Sequence, residues 1–399
     1  MAEPLKEMFN RAYFERLAKE VEGAAPRIQR AALIKDLLHG NEARELNARM
    51  RHASTILRKH LPTDFRKAVN VLKDVAPRMS NGYTALLYPD FVGLHGLDDP
   101  IFSLDALKHF TGFGSSEFAV REFFRRDVKG TLNVMRQWAE DDSEHVRRLA
   151  SEGSRPRLPW SFRLDAVLKD PTLTTPILER LRADDSLYVR KSVANHLNDF
   201  SKDHPAYMID VLRSWDGKHP HTAWIAKHAS RTLIKAGNPD ALALFAFDSK
   251  VKVRVDDLVV SPKRLKLGDT MTFSFTVTSE AARSKQLVID YALHYRKANG
   301  GISRKVFKLK EVEIAGRGSL KISKRQRIVD FSTRKHYRGE HIVEVLVNGK
   351  ERAKATFDRK PEQAAASPGQ PRIDLPQVVL QVLHVIAHEP VQRWNTVSG

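Results

Sequence analysis

Residues 144–160, EHVRRLASEGSRPRLPW, combine side chains that could act on a charged substrate. Glu152 lies among four arginines, which are Arg147, Arg148, Arg155 and Arg157, and Trp160 closes the stretch. Gly153 and Pro156 are predicted to end a helix, so the next residues form a surface loop. There arginines can bind phosphates, nearby cations keep a carboxylate ionised, and an aromatic ring can stack on a base or sugar. The alternative is a surface salt-bridge cluster with a structural tryptophan.

Two more carboxylates fall at related places. Glu117 lies in GSSEFAVREF, and Asp199 lies in SVANHLNDFSKDHP. If neighbouring helical repeats stack, the ends of their second helices line one concave face, so Glu117, Glu152, Trp160 and Asp199 are expected to converge. As alternatives, Glu117 is a first-turn helix acid and Asp199 is a loop or C-cap residue.

Helices are predicted throughout residues 1–247, because apolar residues recur at spacings of three and four. WAEDDSEHVRRLASEG at 138–153 resembles LRADDSLYVRKSVANH at 181–196, at an offset of 43 residues. Val120-Arg121-Glu122 resembles a third copy. A period of about 40–47 residues is typical of HEAT-like helical solenoids. The alternative is an ordinary helical bundle.

From Val251 the pattern is typical of an antiparallel β-sandwich of immunoglobulin type. Residues 270–278 alternate strictly between polar and apolar side chains, and Asn348-Gly349 is a strong hairpin signal. Tyr337 with Gly339 resembles a tyrosine corner. The chain is therefore predicted to be a multidomain α + β protein. Residues 1–250 form a HEAT-like solenoid, 251–358 a basic Ig-like sandwich and 359–399 a linker or flexible tail.

Positive charge is concentrated in the predicted sandwich. The chain has a net charge of +19, of which residues 251–360 hold +14, from 26 Lys and Arg against 12 Asp and Glu. Such an excess favours a polyanionic partner. The partner could be nucleic acid or an anionic membrane surface, and the candidate contacts are Lys263, Arg264, Lys324, Arg325, Arg327, Arg334 and Lys335. The alternative is that these are solvated strand-edge charges, which block edge pairing.

Composition excludes several classes of chemistry. The chain has no cysteine, so disulfides, thiolate zinc sites and cysteine nucleophiles are excluded. His219, His221 and His228 cluster near Trp224 without a further ligand at a matching spacing, so we predict no metal and no cofactor. The longest apolar tract is too short for a membrane span, and the N-terminus lacks a secretory apolar core. We expect a monomer in the cytoplasm, associated with the nucleoid and not with membrane.

Three motifs, SSEFAVREF, VRRLASEGSRPRLPW and DDSLYVRKSVANHLNDFSKDHP, resemble the AlkC branch of the AlkC/AlkD-type DNA glycosylases. The resemblance covers roughly residues 1–355, including an Ig-like domain. It implies a solenoid that cradles duplex DNA and excises N3-methyladenine and N3-methylcytosine without a deep base pocket. It implies an active site at Glu117, Glu152, Trp160 and Asp199. The DNA contacts predicted around that site are Arg148, Arg155, Arg157 and Lys191.

The sequence therefore predicts a monofunctional DNA-alkylated-base glycosylase acting on double-stranded DNA. Two other functions stay open at this point. One is a non-catalytic HEAT/Ig protein that binds DNA or senses damage. The other is a helical-repeat scaffold whose basic module recruits RNA or a membrane.

Overall fold

Helices occupy the first part of the chain and strands the last part. The computed structural model describes residues 4–79, 81–331 and 335–360. The α-helices are α1 Arg11–Ala24, α2 Arg30–Leu38, α3 Leu46–His60, α4 Phe65–Val75, α5 Leu87–His95, α6 Pro100–Phe110, α7 Val120–Arg126, α8 Val128–Trp138, α9 Glu144–Gly153, α10 Asp165–Lys169, α11 Thr175–Leu181, α12 Leu187–Asp199, α13 Pro205–Ser214, α14 Pro220–Ala229, α15 Arg231–Lys235 and α16 Pro239–Ala243. The strands are β1 Val253–Ser261, β2 Arg264–Leu265, β3 Thr270–Ser279, β4 Lys285–Arg296, β5 Ile302–Ile314, β6 Ser319–Arg327, β7 Gly339–Val347 and β8 Lys350–Arg359. The predicted succession of an all-α part and an antiparallel sandwich is confirmed.

The chain divides into two compact units. The first comprises the described residues up to Asp203 together with Lys218–Ile225. The second comprises His204–Gly217 and the described residues from Ala226 onwards, so α13, α15 and α16 group with the strands. The domain boundary near residue 250 stays a prediction, and most of the predicted tail, residues 361–399, lies outside the described residues.

The sequence echo at an offset of 43 residues corresponds to a repeated local structure. The Asp141 carboxylate accepts a hydrogen bond from the Ser143 backbone N–H at 2.9 Å, and Asp184 accepts one from Ser186 at 2.8 Å. Ser143 and Ser186 are the N-caps of α9 and α12, but their own hydroxyls form no cap hydrogen bond. In each copy an aspartate two residues before the N-cap therefore fixes the turn that leads into the helix.

The first copy also contacts the second through an arginine–aspartate pair. The carboxylate of Asp184 accepts two hydrogen bonds from Arg147 of the preceding copy, at 2.7 and 3.1 Å. Val146 and Val189, the matching apolar positions, are both buried as expected. Burying such a side chain stabilises the fold by about 1.5–3 kcal/mol, so the shared pattern of cap and core fixes α9 beside α12. The HEAT-like class of these repeats stays a prediction.

The second unit contains two sheets, with strand orders β1-β3-β6 and β2-β8-β7-β4-β5. Along β3 the side chains alternate, so Met271, Phe273, Phe275 and Val277 are buried between the sheets. Asn348 and Gly349 both have positive φ, 48° and 73°, as the turn joining β7 to β8 requires. A Cβ on Gly349 would clash with Gly237, so this turn packs closely on the end of α15 within the same unit.

The tyrosine corner predicted at Tyr337 stays a prediction, because residues 332–334 just upstream lie outside the described residues. The Tyr337 side chain is 39% exposed, and its hydroxyl forms no hydrogen bond with any residue of the described ranges. Its backbone carbonyl instead lies 2.9 Å from the imidazole Nε2 of the buried His341. His341 therefore contacts the backbone of Tyr337, while the tyrosine ring lies at the surface.

Candidate active site

Three carboxylates from separate segments of the chain converge on two buried arginines in the first unit. Glu117 precedes α7, Glu152 lies on α9, and Asp199 ends α12. Arg148 lies one turn before Glu152 on α9, and Arg155 lies in the loop after that helix. Side-chain exposure is only 7–11% for all five residues. We call this group the carboxylate–arginine cluster.

Glu152 is the centre of the cluster. Its Oε1 accepts a hydrogen bond from Arg155 Nη1 at 2.7 Å and lies 3.6 Å from Arg148 Nη2. Its Oε2 accepts a hydrogen bond from the Ser192 hydroxyl at 2.6 Å. A buried carboxylate of this kind is tolerable only because both oxygens have partners, at least one of them cationic.

Asp199 completes the cluster on one side. Arg155 donates to both of its oxygens, from Nε at 2.9 Å and from Nη2 at 3.0 Å. This bidentate contact fixes the orientation of both side chains. Arg157, two residues further on, forms a more exposed pair with Asp203 at 2.6 Å. Arg155 therefore connects α9 with α12 through two different carboxylates.

Glu117 completes the cluster on the other side. It accepts hydrogen bonds from Arg148 and from the Ser115 hydroxyl. The Arg148 guanidinium lies over the ring of Tyr188, 5.1 Å from the ring centre. Arg148 and Arg155 were expected to contact DNA, yet in this structure both are buried between carboxylates.

The charges of the cluster are stabilised mutually. Burial acts to raise the pKa of Glu152, but Arg155, Arg148 and the Ser192 hydroxyl outweigh it and lower the pKa to about 2. Burial opposes the charge of Arg148 and Arg155 as well, yet their carboxylate partners raise the pKa of both guanidinium groups. For Asp199 burial prevails, and its pKa lies above the ordinary value despite Arg155. Glu152 is therefore ionised throughout the physiological range.

Arg121 is fully buried and holds the loop between α9 and α10. Its guanidinium donates to the carbonyls of Gly153 at 3.1 Å, Arg155 at 2.7 Å and Phe162. Burial lowers the pKa of Arg121 to about 10, so the side chain still carries its charge at neutral pH. The three acceptors lie on both sides of Trp160, so Arg121 determines the course of the loop that presents this residue.

Trp160 lies at the surface, whereas the cluster is buried. It is 48% exposed and has a φ of 65°, an unusual value for a bulky residue. Its side chain lies on the wall of a cavity of about 740 Å³, together with Tyr83, Phe118 and Phe162. Ser115 lies on the same wall and also contacts Glu117 and Arg148. Ser115 therefore connects this aromatic cavity with the cluster.

Sequence reasoning missed several residues of the site. Ser192 and His196 share one face of α12 with Asp199 at the spacing i, i+4 and i+7, which was visible in the sequence. Burial and the nearby Arg155 lower the pKa of His196 to about 3, and its Nδ1 lies 3.0 Å from the Ser151 carbonyl. The sequence did not single out Arg121, because it occupies the same repeat position as Arg147 and Arg190. Those two arginines donate to carbonyls just before their own helices.

The remaining predicted DNA contacts are mostly exposed. In the first unit, Lys191 is exposed on α12. In the second unit Arg325 and Arg327 point outwards from β6, whereas the half-buried Lys324 points to the inner face, opposite Phe273. Three further predicted contacts in this unit are also exposed: Lys263, Arg264 and Lys335. Arg334 lies outside the described residues.

Metal and membrane sites were also sought. Within the described ranges, no group of three or more His, Cys, Asp or Glu side chains is arranged to hold a metal ion. Nor does any described helix have the length and apolar character needed to cross a membrane.

The fold and site together define a class of protein, in which repeated helix pairs carry a buried carboxylate–arginine cluster and a basic β-sandwich follows. Comparison with known proteins finds a match for each of these two parts of the chain. The family model described as DNA alkylation repair enzyme matches residues 111–233, which contain the whole cluster. The model described as the C-terminal Ig-like domain of uncharacterised protein YhaZ matches residues 254–360.

Two relatives extend over nearly the whole chain. Bacillus subtilis (strain 168) "Uncharacterized protein YhaZ" is 41% identical over 346 residues, which are 86% of this chain and 96% of that protein. The Pseudomonas fluorescens alkylpurine DNA glycosylase AlkC, solved bound to DNA containing an abasic site analog, is 45% identical. It matches with a TM-score of 0.86, covering 90% of this chain and 100% of that one. The chain belongs to the AlkC-type DNA glycosylases, DNA alkylation repair enzymes with a C-terminal Ig-like domain.

Proposed function

We propose that this chain is a monofunctional glycosylase that hydrolyses the N-glycosidic bond of cationic alkylated bases in duplex DNA. One observation carries the proposal: Glu117, Glu152 and Asp199 meet at two buried arginines inside the segment that matches DNA alkylation repair enzymes. The similar Pseudomonas fluorescens enzyme was solved with an abasic site analog. An abasic site is what remains after a base is released, which supports the same reaction for this chain.

The residue types suit the chemistry of a base that is already positively charged. Such a base leaves as a neutral molecule, so no strong general acid is needed. The barrier lies in the positive oxocarbenium character that develops on the deoxyribose, and ionised carboxylates stabilise it. One carboxylate about 4 Å away contributes roughly 4 kcal/mol at an effective dielectric near 20, or about three decades of rate. The neighbouring arginines reduce this figure.

We assign distinct roles to the residues of the cluster. Glu152 and Asp199 act as the main electrostatic pair at the sugar, and Glu117 assists at the base or the attacking water. Arg148 and Arg155 hold the carboxylates in place and keep Glu152 ionised, and this role replaces the phosphate contact expected of them. Trp160 packs on the sugar from the wall of the aromatic cavity.

N3-methyladenine and N3-methylcytosine are the proposed substrates, because both carry the positive charge that this mechanism uses. The partner is double-stranded DNA, and the enzyme acts as a cytoplasmic monomer at the nucleoid. Water completes the reaction without a cofactor. Because we assign no lysine to attack the sugar, strand nicking at the abasic product is not expected.

Mass spectrometry of bases released from methylated duplex DNA tests this function. We expect free N3-methyladenine and N3-methylcytosine, and DNA strands that stay intact until alkali is added. The same DNA without methylation is the control, and it should yield no free base. Binding to methylated DNA without any base release would contradict the enzymatic function and favour a damage-sensing protein.

A further inference from the structure

The two copies of the helical repeat differ in polarity at two buried positions. At the offset of 43 residues, Glu152 of the first copy corresponds to Asn195 of the second, and Leu149 corresponds to Ser192. Leu149 is fully buried, as a core position of the repeat requires. Ser192 is buried as well, although burying a hydroxyl is unfavourable unless it forms a hydrogen bond. Packing alone therefore does not explain the serine.

The two departures from the repeat meet each other. The Ser192 hydroxyl donates to Glu152 Oε2 at 2.6 Å, a length typical of a hydrogen bond from a hydroxyl to a charged oxygen. Glu152 lies in the last turn of α9, where the helix dipole disfavours a negative charge, and its burial opposes the charge too. The carboxylate is therefore placed at a cost in stability, and the serine is placed to hold it.

The neighbouring contacts fix the serine relative to the carboxylate. One turn along α12 from Ser192, the ring of His196 lies 3.0 Å from the Ser151 carbonyl, next to Glu152 on α9. At the end of α12, Asp199 accepts two hydrogen bonds from Arg155 in the loop that follows α9. Three successive contacts from one face of α12 therefore hold the end of α9 in a single position.

The two oxygens of Glu152 have partners of different charge. Arg155 and Arg148 approach Oε1, at 2.7 and 3.6 Å, and these cations offset part of its negative field. The hydroxyl of Ser192 is a neutral donor, so it fixes Oε2 without adding a positive charge. A carboxylate oxygen has two lone pairs, so Oε2 keeps one of them after accepting this hydrogen bond.

We propose that Ser192 is the positioning residue of Glu152, and that it holds Oε2 where this oxygen stabilises the positive charge developing on the deoxyribose. Such stabilisation depends on groups that are fixed before the charge appears. Ser192 is only 2% exposed, so it acts through Glu152 and not on the DNA itself. The role assigned to it rests on the proposed function, because that reaction generates the sugar cation.

The full-length variants S192T and S192V test the hydroxyl at nearly constant side-chain volume. In single-turnover release of N3-methyladenine, S192T should stay close to the wild type and S192V should be slower by about tenfold or more, since the lost hydrogen bond is to a charged group. Affinity for the undamaged duplex should be the same in both variants. Thermal unfolding confirms that both variants fold.

A second pair of variants separates the carboxylate from the joining of the two helices. The Ser186 hydroxyl donates to Glu144 Oε2, so it joins α12 to α9 by the same kind of hydrogen bond at the other end of α9. S186A should release bases at the wild-type rate, whereas S192A should be slower by about tenfold or more. Equal losses in S186A and S192A would show that Ser192 only joins the helices, and would overturn the inference.

Binding to abasic analogues reports on the charge without any base release. A duplex with a cationic pyrrolidine in place of the deoxyribose resembles the sugar cation, and a duplex with a neutral tetrahydrofuran does not. The wild type and S192T should prefer the pyrrolidine duplex, and S192V should lose about tenfold of that preference. A wild type that releases bases while S192T and S192V behave alike defeats only the role of Ser192, whereas a wild type that releases no base defeats the proposed function.

Discussion

At the scale of single residues, the site depends on which buried groups are charged. Glu152 keeps its charge because two arginines and a serine hydroxyl surround it, whereas His196, one turn from Ser192 and one turn from Asp199 on the same face of α12, is neutral. Residue type and spacing predicted the acids and the arginines. The partners could not be predicted, because pairing depends on how α9 and α12 approach, and only packing determines that.

His196 gives a prediction about stability and pH. Its pKa is about 3 in the folded chain and about 6.5 in the unfolded chain, so only the unfolded chain takes up a proton between these values. The free energy of unfolding should therefore fall as pH decreases through this window, by up to about 1.4 kcal/mol per pH unit. Urea unfolding of H196L between pH 7 and 5 should show a shallower dependence than the wild type. The variant H39L, at an exposed histidine, is the control, and identical slopes in H196L and H39L would contradict the prediction.

At the scale of elements, the sequence predicted the repeated helices but not the different contact that Arg121 makes at its repeat position. The echo between 138–153 and 181–196 correctly indicated two helices with matching starts and matching buried valines. Val120-Arg121-Glu122 was interpreted as a third copy, yet Arg121 reaches across to the loop after α9. An arginine at a repeated position thus serves a long-range contact, and local pattern carries no information about such a contact.

The Arg121 contact predicts a large effect of one substitution. R121M removes the donor for three backbone carbonyls, and each buried acceptor left without a partner costs about 1–3 kcal/mol. We expect the free energy of unfolding to fall by about 3 kcal/mol or more. Arg180 provides the matched control, because its pair with Glu140 is exposed and R180M should cost about 1 kcal/mol or less. Equal urea midpoints for R121M and R180M would show that Arg121 does not hold the loop.

At the scale of the whole molecule, the net positive charge indicated a polyanionic partner. The acids of the carboxylate–arginine cluster indicated the kind of reaction. The predicted sandwich holds most of the net +19, and the structure gathers several of its cations at one end. That gathering follows from strand order, which sequence alone does not determine. The grouping of α13, α15 and α16 with the strands was equally unpredictable, because it depends on contacts such as that between Gly237 and Gly349.

The central claim is that the acids of the carboxylate–arginine cluster perform the chemistry, and base release by neutral variants tests it most directly. Single-turnover excision of N3-methyladenine should be slower by about hundredfold or more in E152Q and in D199N, because each loses one charge that stabilises the sugar cation. E140Q, at an exposed glutamate of the same unit, should keep the wild-type rate, and thermal unfolding should confirm that all three variants fold. Wild-type rates in both E152Q and D199N would contradict the account.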